Sequence, residues 1–285
     1  MPYQSVFRPG LFADQVVIVT GGGSGIGRCC AHELASLGAR VVLVGRKPDK
    51  LAAVEAEIRA DGGSCEHVVC DIRDESGVQA TVAGVVAAHG RIHGLVNNAG
   101  GQFPSPLAEI SAKGWQAVVA TNLTGGFLMA RECYVQSMRA AGGAIVNMAA
   151  DCWNGMPGMG HSGAARAGML NFTETAACEW APVRVNAVAP GWIDSSGLDT
   201  YPESFQPMIR SLPQHTPARR LGTEAEVSAA IVFLLSEAAA FVSGTWLRVD
   251  GAAPNARRHW PLHGGQPSPA YDGFHRGRRP RPPGA

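Results

Sequence analysis

The sequence lacks the features that mark several large classes of protein. It has no apolar run long enough to span a bilayer, and its first residues, MPYQSVFRPGLF, contain no signal-peptide pattern. Its seven cysteines include no CxxC pair, and no cluster of cysteine and histidine has the local spacing of a metal site. These absences predict a cytoplasmic protein that binds neither a membrane nor a metal ion.

Charge is also scarce. Charged residues make up 16% of the chain and the net charge is +1, so nothing predicts a general affinity for nucleic acid. The charge is unevenly placed, because residues 252–285 contain six arginines and a single acid, Asp272. This stretch is rich in proline and glycine and has few aromatic residues. It therefore predicts a disordered or loosely attached, solvated tail over 254–285 rather than a nucleic-acid-binding arm.

The rest of the chain alternates short apolar runs with longer helical patterns. Seven runs are typical of buried strands: 16–20, 41–45, 67–70, 94–97, 144–148, 183–189 and 246–249. Helical patterns lie between them near 26–37, 48–60, 75–89, 113–140, 164–180 and 223–236. This order predicts an α/β fold, a Rossmann-type doubly wound parallel sheet of seven strands in a single domain over residues 1–253. The segment 191–217 departs from this alternation of strands and helices, and it is interpreted as a mobile lid over an active site.

A glycine-rich turn follows the first strand and opens the first helix. Backbone N–H groups at such a turn can approach a pyrophosphate at the helix N-terminus, where a Cβ would obstruct it. A tight turn alone would also favour glycine, but the strand-to-helix context indicates a dinucleotide. The predicted contacts are Thr20, Gly21, Gly23, Ser24, Gly25, Ile26 and Gly27.

The end of the second strand indicates which dinucleotide binds. An acid there would bind the ribose 2′-hydroxyl of NAD, but the sequence has Arg46 and Lys47 instead. Two cations suit a 2′-phosphate, so the predicted cofactor is NADP(H). The alternative is a pair of solvated charges at the start of a helix.

Five motifs in order extend the pattern. They are Thr20-Gly-x-x-x-Gly-x-Gly27, Cys70-Asp71-Ile72, Asn97-Asn98-Ala99-Gly100, Thr121-Asn122-Leu123 and Pro190-Gly191. Together they resemble the short-chain dehydrogenase/reductase family over residues 13–251. The resemblance implies that Asp71 and Ile72 flank the adenine, that Asn98 supports the cofactor ribose, and that Ala99 and Gly100 lie at the cofactor.

The same resemblance implies further contacts and an assembly. Pro190, Gly191 and Ile193 would meet the nicotinamide, and Asn122 would belong to the catalytic group. The last strand of the family usually packs against a second subunit, so a homodimer or homotetramer is expected.

The catalytic residues depart from the family pattern. The family implies a serine after the fifth strand and Tyr-x-x-x-Lys on the next helix. Here Ser162 and Arg166 occupy the tyrosine and lysine positions, and Ala149 or Ala150 occupies that of the serine. This region resembles a subgroup, the peroxisomal trans-2-enoyl-CoA reductases and their bacterial relatives.

Enoyl reduction depends less on the missing phenol than alcohol oxidation does. Hydride addition to a conjugated thioester places charge on the thioester oxygen, which hydrogen-bond donors stabilise, whereas oxidation needs a base for the hydroxyl proton. The candidate catalytic residues are Asn122, Ser162, Arg166 and His161, and Arg166 also fits the cofactor ribose. Each has a structural alternative: a satisfied amide for Asn122, an N-cap for Ser162, a salt bridge or subunit contact for Arg166, and a packed histidine for His161. Asp151 and Asn154 are weaker candidates.

Three functions are therefore predicted. The first is NADPH-dependent reduction of a trans-2-enoyl-CoA. The second is a dehydrogenase of acyclic terpenoid alcohols or aldehydes such as citronellol, with the lid residue Tyr201 as its base. The third is a dinucleotide-binding protein without turnover.

Overall fold

A computed structural model describes residues 2–256 and 266–278. Seven parallel strands form one sheet in the order β3-β2-β1-β4-β5-β6-β7. Their bounds are β1 Val16–Thr20, β2 Arg40–Gly45, β3 Ser64–Val69, β4 Gly94–Asn97, β5 Ala144–Met148, β6 Arg184–Pro190 and β7 Trp246–Val249. The predicted α/β fold with a doubly wound seven-stranded parallel sheet is confirmed.

Helices cover both faces of this sheet. Their bounds are α1 Gly25–Ser36, α2 Pro48–Ala60, α3 Glu75–His89, α4 Ala112–Val119, α5 Gly125–Cys133, α6 Arg139–Ala141, α7 Gly160–Glu179, α8 Gln206–His215 and α9 Glu224–Leu235. Two five-residue π-helical segments, Ala120–Thr124 and Tyr134–Met138, join α4, α5 and α6 into one long element. No helix within the described ranges is long and apolar enough to cross a membrane.

Side chains point alternately to the two faces of the sheet along the central strands, and so they form two hydrophobic cores. Val17 and Val19 of β1 pack with residues of α1, α2 and α9, whereas Val16 and Ile18 pack with residues of α3 and α5. Successive strand side chains point to opposite faces, so a strand covered on both faces must be apolar throughout. All five residues of β1 are buried accordingly.

The order of the strands determines where a ligand can bind. The chain runs outward from β1 through β2 to β3, then returns to β4 on the other side of β1. Ligands of open α/β sheets bind at the carboxyl ends of the strands where this reversal occurs. Thr20 and Asn97 are the last residues of β1 and β4, and so they mark the site.

Three expectations from the sequence need correction. The helix α7 begins at Gly160 rather than at 164, because Nδ1 of His161 accepts the Ser162 N–H and satisfies one of the free donors of its first turn. The lid segment 191–217 contains a helix, α8, that periodicity did not predict, since prolines interrupt its pattern. The tail is not disordered throughout, because residues 266–278 pack against the domain through Tyr271 and Phe274. The other tail residues, 257–265 and 279–285, lie outside the described part of the chain.

Candidate active site

The glycine-rich turn connects β1 to α1 with its backbone tightly packed. Gly21 and Gly25 have φ angles of +67° and +58°, which favour glycine. A Cβ on Gly27 would lie 2.4 Å from the Asn98 side-chain nitrogen and 2.5 Å from the Gly21 carbonyl oxygen. The turn therefore accepts no side chain at Gly27 without moving the residues after β4.

The N-terminus of α1 fits a dinucleotide phosphate. Ser24 occupies the N-cap, but its side chain makes no capping hydrogen bond within the described structure. The first turn of α1 also contains no acidic residue. The N–H groups of this turn and the positive end of the helix dipole are thus left for an anion.

Thr20 and Asn98 hold the turn against the loop after β4. The Thr20 hydroxyl accepts hydrogen bonds from the backbone N–H groups of Asn98 and Ala99, both at 3.0 Å. The Asn98 side chain donates to the Thr20 carbonyl oxygen at 3.0 Å. In this structure Asn98 supports the turn itself, while its predicted contact with a cofactor ribose stays a prediction.

The end of β2 presents positive charge to solvent. Arg46 and Lys47 are both exposed. Arg73 binds the carboxylate of Asp71 with its Nε and Nη2, and this contact, aided by the charge of Arg46, lowers the pKa of Asp71. Two cations therefore remain beside an acid that Arg73 already neutralises.

The remaining predicted cofactor residues lie at the ends of the strands. Ile72 is buried, and a Cβ on Gly125 would overlap its side chain. Pro190 ends β6, and the Gly191 N–H donates to Val249 at 3.0 Å. Ile193 is buried and pairs with Gly222 in an isolated bridge.

Gly100, Asn122 and Arg166 converge in the middle of the site. A Cβ on Gly100 would lie 2.5 Å from Nη2 of Arg166 and 3.0 Å from Oδ1 of Asn122. Only glycine leaves room for both side chains. Asn122 lies in the first π segment, and both ends of its amide bond the Gly101 backbone, at 2.9 and 3.0 Å. Asn122 thus orients the loop after β4.

Arg166 is a buried cation. Its Nη1 donates to the Met148 carbonyl oxygen at 2.5 Å, and among the described residues no carboxylate pairs with it. Burial lowers the pKa of Arg166 to about 10. A buried guanidinium without a counter-charge is costly, and so it is suited to stabilising a bound anion or a developing negative charge.

Ser162 lies at the end of a hydrogen-bonded chain that sequence reasoning missed. Its hydroxyl donates to Oε1 of Gln102 at 2.6 Å, and Nε2 of Gln102 donates to the Tyr201 hydroxyl at 2.7 Å. Ser162 is therefore not an N-cap. No local pattern could reveal this chain, since its members come from the loop after β4, α7 and the lid.

His161 is fully buried beside Ser162. Its Nδ1 accepts the Ser162 N–H at 2.9 Å, and its ring meets the edge of Phe103 at a centroid distance of 4.5 Å. Its Nε2 has no hydrogen-bond partner among the described residues. The structure thus places His161 in packing and capping contacts, and its role as an acid stays a prediction.

The loop after β5 carries the weaker candidates. Asp151 is half-buried, and burial with the nearby Asp250 raises its pKa. Cys152 lies close enough to Arg166 for each to influence the other's pKa. Asn154 is exposed. Asp151 is therefore the one member of this loop with a perturbed carboxyl group near the site.

One group of described residues has metal-like geometry, and it lies away from the sheet's carboxyl edge. Ligand atoms of His32, Asp61 and His275 lie within 4.8 Å of one another. However, Nε of Arg276 donates to both Asp61 and His275, at 3.0 and 3.1 Å. An arginine thus already supplies the positive charge that a metal would bring.

Comparison with known proteins agrees with this architecture. A family model described as "Enoyl-(Acyl carrier protein) reductase" matches residues 21–252. The chain belongs to the short-chain dehydrogenase/reductase family.

Members of the short-chain dehydrogenase/reductase family with different substrates are similar to this chain. A probable 2,4-dienoyl-CoA reductase of Bacillus subtilis is 37% identical over 246 residues, 83% of this chain and 95% of that protein. The structure of the citronellol catabolism dehydrogenase AtuB of Pseudomonas aeruginosa has 62% identity and a TM-score of 0.80, covering 88% of this chain and 99% of that one. An NAD(P)-dependent gluconate 5-dehydrogenase structure from Beutenbergia cavernae, with NADP at low occupancy, has 33% identity and a TM-score of 0.81, covering 87% and 100%.

This short-chain dehydrogenase/reductase is therefore an oxidoreductase of a family that binds NAD(P). The resemblance to enoyl-CoA reductases predicted from its sequence is confirmed. Its α7 contains neither tyrosine nor lysine, and Ser162 and Arg166 lie there four residues apart.

Proposed function

We propose that this protein is an NADPH-dependent reductase of α,β-unsaturated acyl-CoA thioesters. The observation that carries the proposal is the composition of α7 at the site. It offers a serine hydroxyl and a buried guanidinium, but no phenol paired with an amine. That set of groups suits stabilisation of negative charge better than removal of a hydroxyl proton.

The turn and the end of β2 would hold the cofactor. The uncapped N-terminus of α1 would bind the pyrophosphate, and Arg46 with Lys47 would bind a 2′-phosphate. When bound, the reduced nicotinamide supplies a hydride. The preference for NADPH over NADH rests on the exposed cations and on Asp71 being neutralised by Arg73.

The protein's own residues would act on the thioester. The Ser162 hydroxyl donates to Oε1 of Gln102 and would turn to a thioester oxygen when a substrate binds. Arg166 would stabilise the charge that develops there, because burial reduces the screening of its charge by water. Because Gly100 has no side chain, it would leave the Arg166 guanidinium accessible to the thioester.

Absorbance of the reduced nicotinamide tests this function. Purified protein mixed with NADPH and a medium-chain trans-2-enoyl-CoA or 2,4-dienoyl-CoA should consume NADPH, faster than it consumes NADH. Arg166→Ala should slow the reaction. Binding of NADPH without any oxidation of it on these thioesters would contradict the proposal.

The relative with 62% identity favours a second candidate. Its name assigns it to citronellol catabolism, so a dehydrogenase of acyclic terpenoid alcohols or aldehydes is the alternative. Formation of NADPH from NADP⁺ with citronellol would support that candidate. Cofactor binding with no turnover in either assay would support a non-catalytic role.

The exposed surface of the last strand supports an oligomer. Trp246 and Leu247 of the edge strand β7 are each 38% exposed, and Phe241 is fully exposed. Large apolar side chains on an edge strand are often covered by another subunit. A homodimer or homotetramer would appear in light scattering as a multiple of the 29.8 kDa chain.

A further inference from the structure

The C-terminal segment, residues 266–278, contacts the chain at two points, one inside the lid segment 191–217 and one directly after it. The Ser268 N–H donates to the Ala218 carbonyl oxygen at 3.2 Å, immediately after the lid. Ten residues later Arg278 pairs with Asp199 inside the lid. Helix α8 of the lid therefore lies between two points that the C-terminal segment holds.

An aromatic anchor fixes this segment to the domain. Phe274 is 3% exposed and packs with Tyr3 and Cys29, and the guanidinium of Arg28 lies 5.2 Å from the centre of its ring. The Gln4 N–H donates to the Gly273 carbonyl oxygen at 2.9 Å. Burial of a phenylalanine side chain contributes substantially to the stability of a domain, so Phe274 holds the segment firmly on the domain.

Hydrogen bonds continue the attachment on either side of the anchor. Arg276 binds Asp61 at the end of α2 with Nε and Nη2, at 3.0 and 2.8 Å. On the other side, the Tyr271 carbonyl oxygen accepts the Thr223 hydroxyl at 2.6 Å. The segment is thus bound to α2 and to the N-cap of α9 before it reaches the lid.

The contact with the lid lies next to the hydrogen-bonded chain of the site. Arg278 binds the carboxylate of Asp199 through both terminal nitrogens, Nη1 at 2.9 Å from Oδ1 and Nη2 against Oδ2. Asp199 belongs to a short 3₁₀ turn, Leu198–Thr200, and Tyr201 follows it directly. Through Gln102, Tyr201 is connected to Ser162.

We infer that the C-terminal segment completes the active site: Arg278, a positioning residue, holds Asp199 and thereby keeps the Tyr201 hydroxyl on Gln102, from where Tyr201 donates a proton to the substrate. This inference rests on the proposed reductase function for its chemical step. The positioning of the lid does not depend on that function.

The geometry suits a donor. Gln102 donates to the Tyr201 oxygen, so the phenol's own proton stays available for another acceptor. Burial raises the pKa of Tyr201, and the hydrogen bond from Gln102 opposes this rise, so the phenol carries its proton at neutral pH. Tyr201 is half-buried, with its hydroxyl 3.7 Å from the Met159 sulfur, a weak acceptor that a substrate can displace.

The step balances with one hydride and one proton. With the hydride that a bound reduced nicotinamide would supply to the β carbon, the π electrons of the double bond would move into an enolate of the thioester. The proton of Tyr201 then forms the C–H bond at the α carbon. The resulting phenolate recovers a proton from solvent.

The first test is hydrogen–deuterium exchange of the lid in the full-length protein. Arg278→Asp should raise exchange over residues 198–215 about two- to five-fold, as expected for loss of an exposed ion pair. The charge-swapped double variant Arg278→Asp/Asp199→Arg should restore it. Arg210→Asp, an equal charge change on an exposed residue of α8, serves as the control. Unchanged exchange in Arg278→Asp would overturn the positioning role.

The second test is turnover with NADPH and an enoyl-CoA. Tyr201→Phe should lower kcat about 100-fold or more, with little effect on NADPH affinity. Arg278→Asp should lower kcat about two- to five-fold, and the double variant should recover it. Normal kcat in Tyr201→Phe would overturn the donor role. If the wild type turns over no thioester, the proposed function fails, while the exchange experiment still decides the positioning role.

Discussion

The two ends of the active site are built in different ways. At the cofactor end, a single strand–turn–helix unit supplies the glycine-rich turn, and Asn98 with Thr20 ties it to the adjacent strand. At the substrate end, Ser162, Gln102 and Tyr201 meet from α7, a loop and the lid. The first depends on backbone shape and the second on side chains far apart in sequence. A change at the turn should therefore abolish binding, whereas changes at the substrate end should be graded.

The largest effect is expected at Gly27. Gly27→Val would place side-chain atoms within 3 Å of Asn98 and Gly21, so it should cost about 3 kcal/mol of unfolding free energy. It should also weaken NADPH binding at least 100-fold, measured by fluorescence titration. Gly84→Ala in α3 is the control, because a Cβ there meets nothing within 4 Å. Normal NADPH affinity in Gly27→Val would remove the turn from the cofactor site.

The next effect is expected at Arg166. Arg166→Ala should lower kcat with an enoyl-CoA about 100-fold, because it removes a buried donor from the developing charge. Arg166→Lys should retain more activity, since it keeps the charge but loses the fixed donor geometry. Equal losses in both variants would indicate that the guanidinium shape, rather than its charge, is needed. Full activity in Arg166→Ala would exclude the catalytic assignment.

A smaller effect concerns how the unfolding free energy of the protein depends on pH. Burial, opposed by Arg28 and Arg278, raises the pKa of Glu224 to about 7. The folded state therefore binds an extra proton between about pH 4.5 and 7, and this contribution to stability falls as the pH rises through that range. Glu224→Gln should be more stable than wild type by about 2 kcal/mol at pH 8, and equal to it at pH 4.

Urea unfolding at both pH values measures this difference. Glu226→Gln, two residues along α9, is the contrasting variant. Burial would raise the pKa of Glu226, but hydrogen bonds from Arg220 outweigh it and lower the pKa. Its substitution should therefore destabilise the protein at pH 8. If Glu224→Gln raised the unfolding free energy equally at pH 4 and pH 8, the link between protonation of Glu224 and stability would be contradicted.

The smallest effect is expected at Arg46. Arg46→Ala should weaken NADPH binding about tenfold, or about 1.4 kcal/mol, and leave NADH binding unchanged. Arg139→Ala, on an exposed arginine of α6, is the control. An equal loss for both cofactors would show that Arg46 does not recognise the 2′-phosphate.

Much of the fold could be predicted from local pattern. The seven strands and most helices were recognisable because buried strands are apolar throughout and helices repeat every 3.6 residues. Errors occurred where tertiary contacts outweigh the pattern. Helix α8 contains Pro207 and Pro213, and α7 begins with Gly160, His161 and Ser162, which do not resemble a helix start.

The sequence by itself determined the sheet, the glycine-rich turn and the family, because each depends on residues that are neighbours along the chain. It also determined that Ser162 and Arg166 share a helix. Tertiary structure alone decided that Gln102 and Tyr201 join Ser162, that Gly100 makes room for Arg166, and that residues 266–278 pack on the domain. Such contacts join residues far apart in sequence, and no local periodicity encodes them; only the packing of the folded chain brings them within bonding distance.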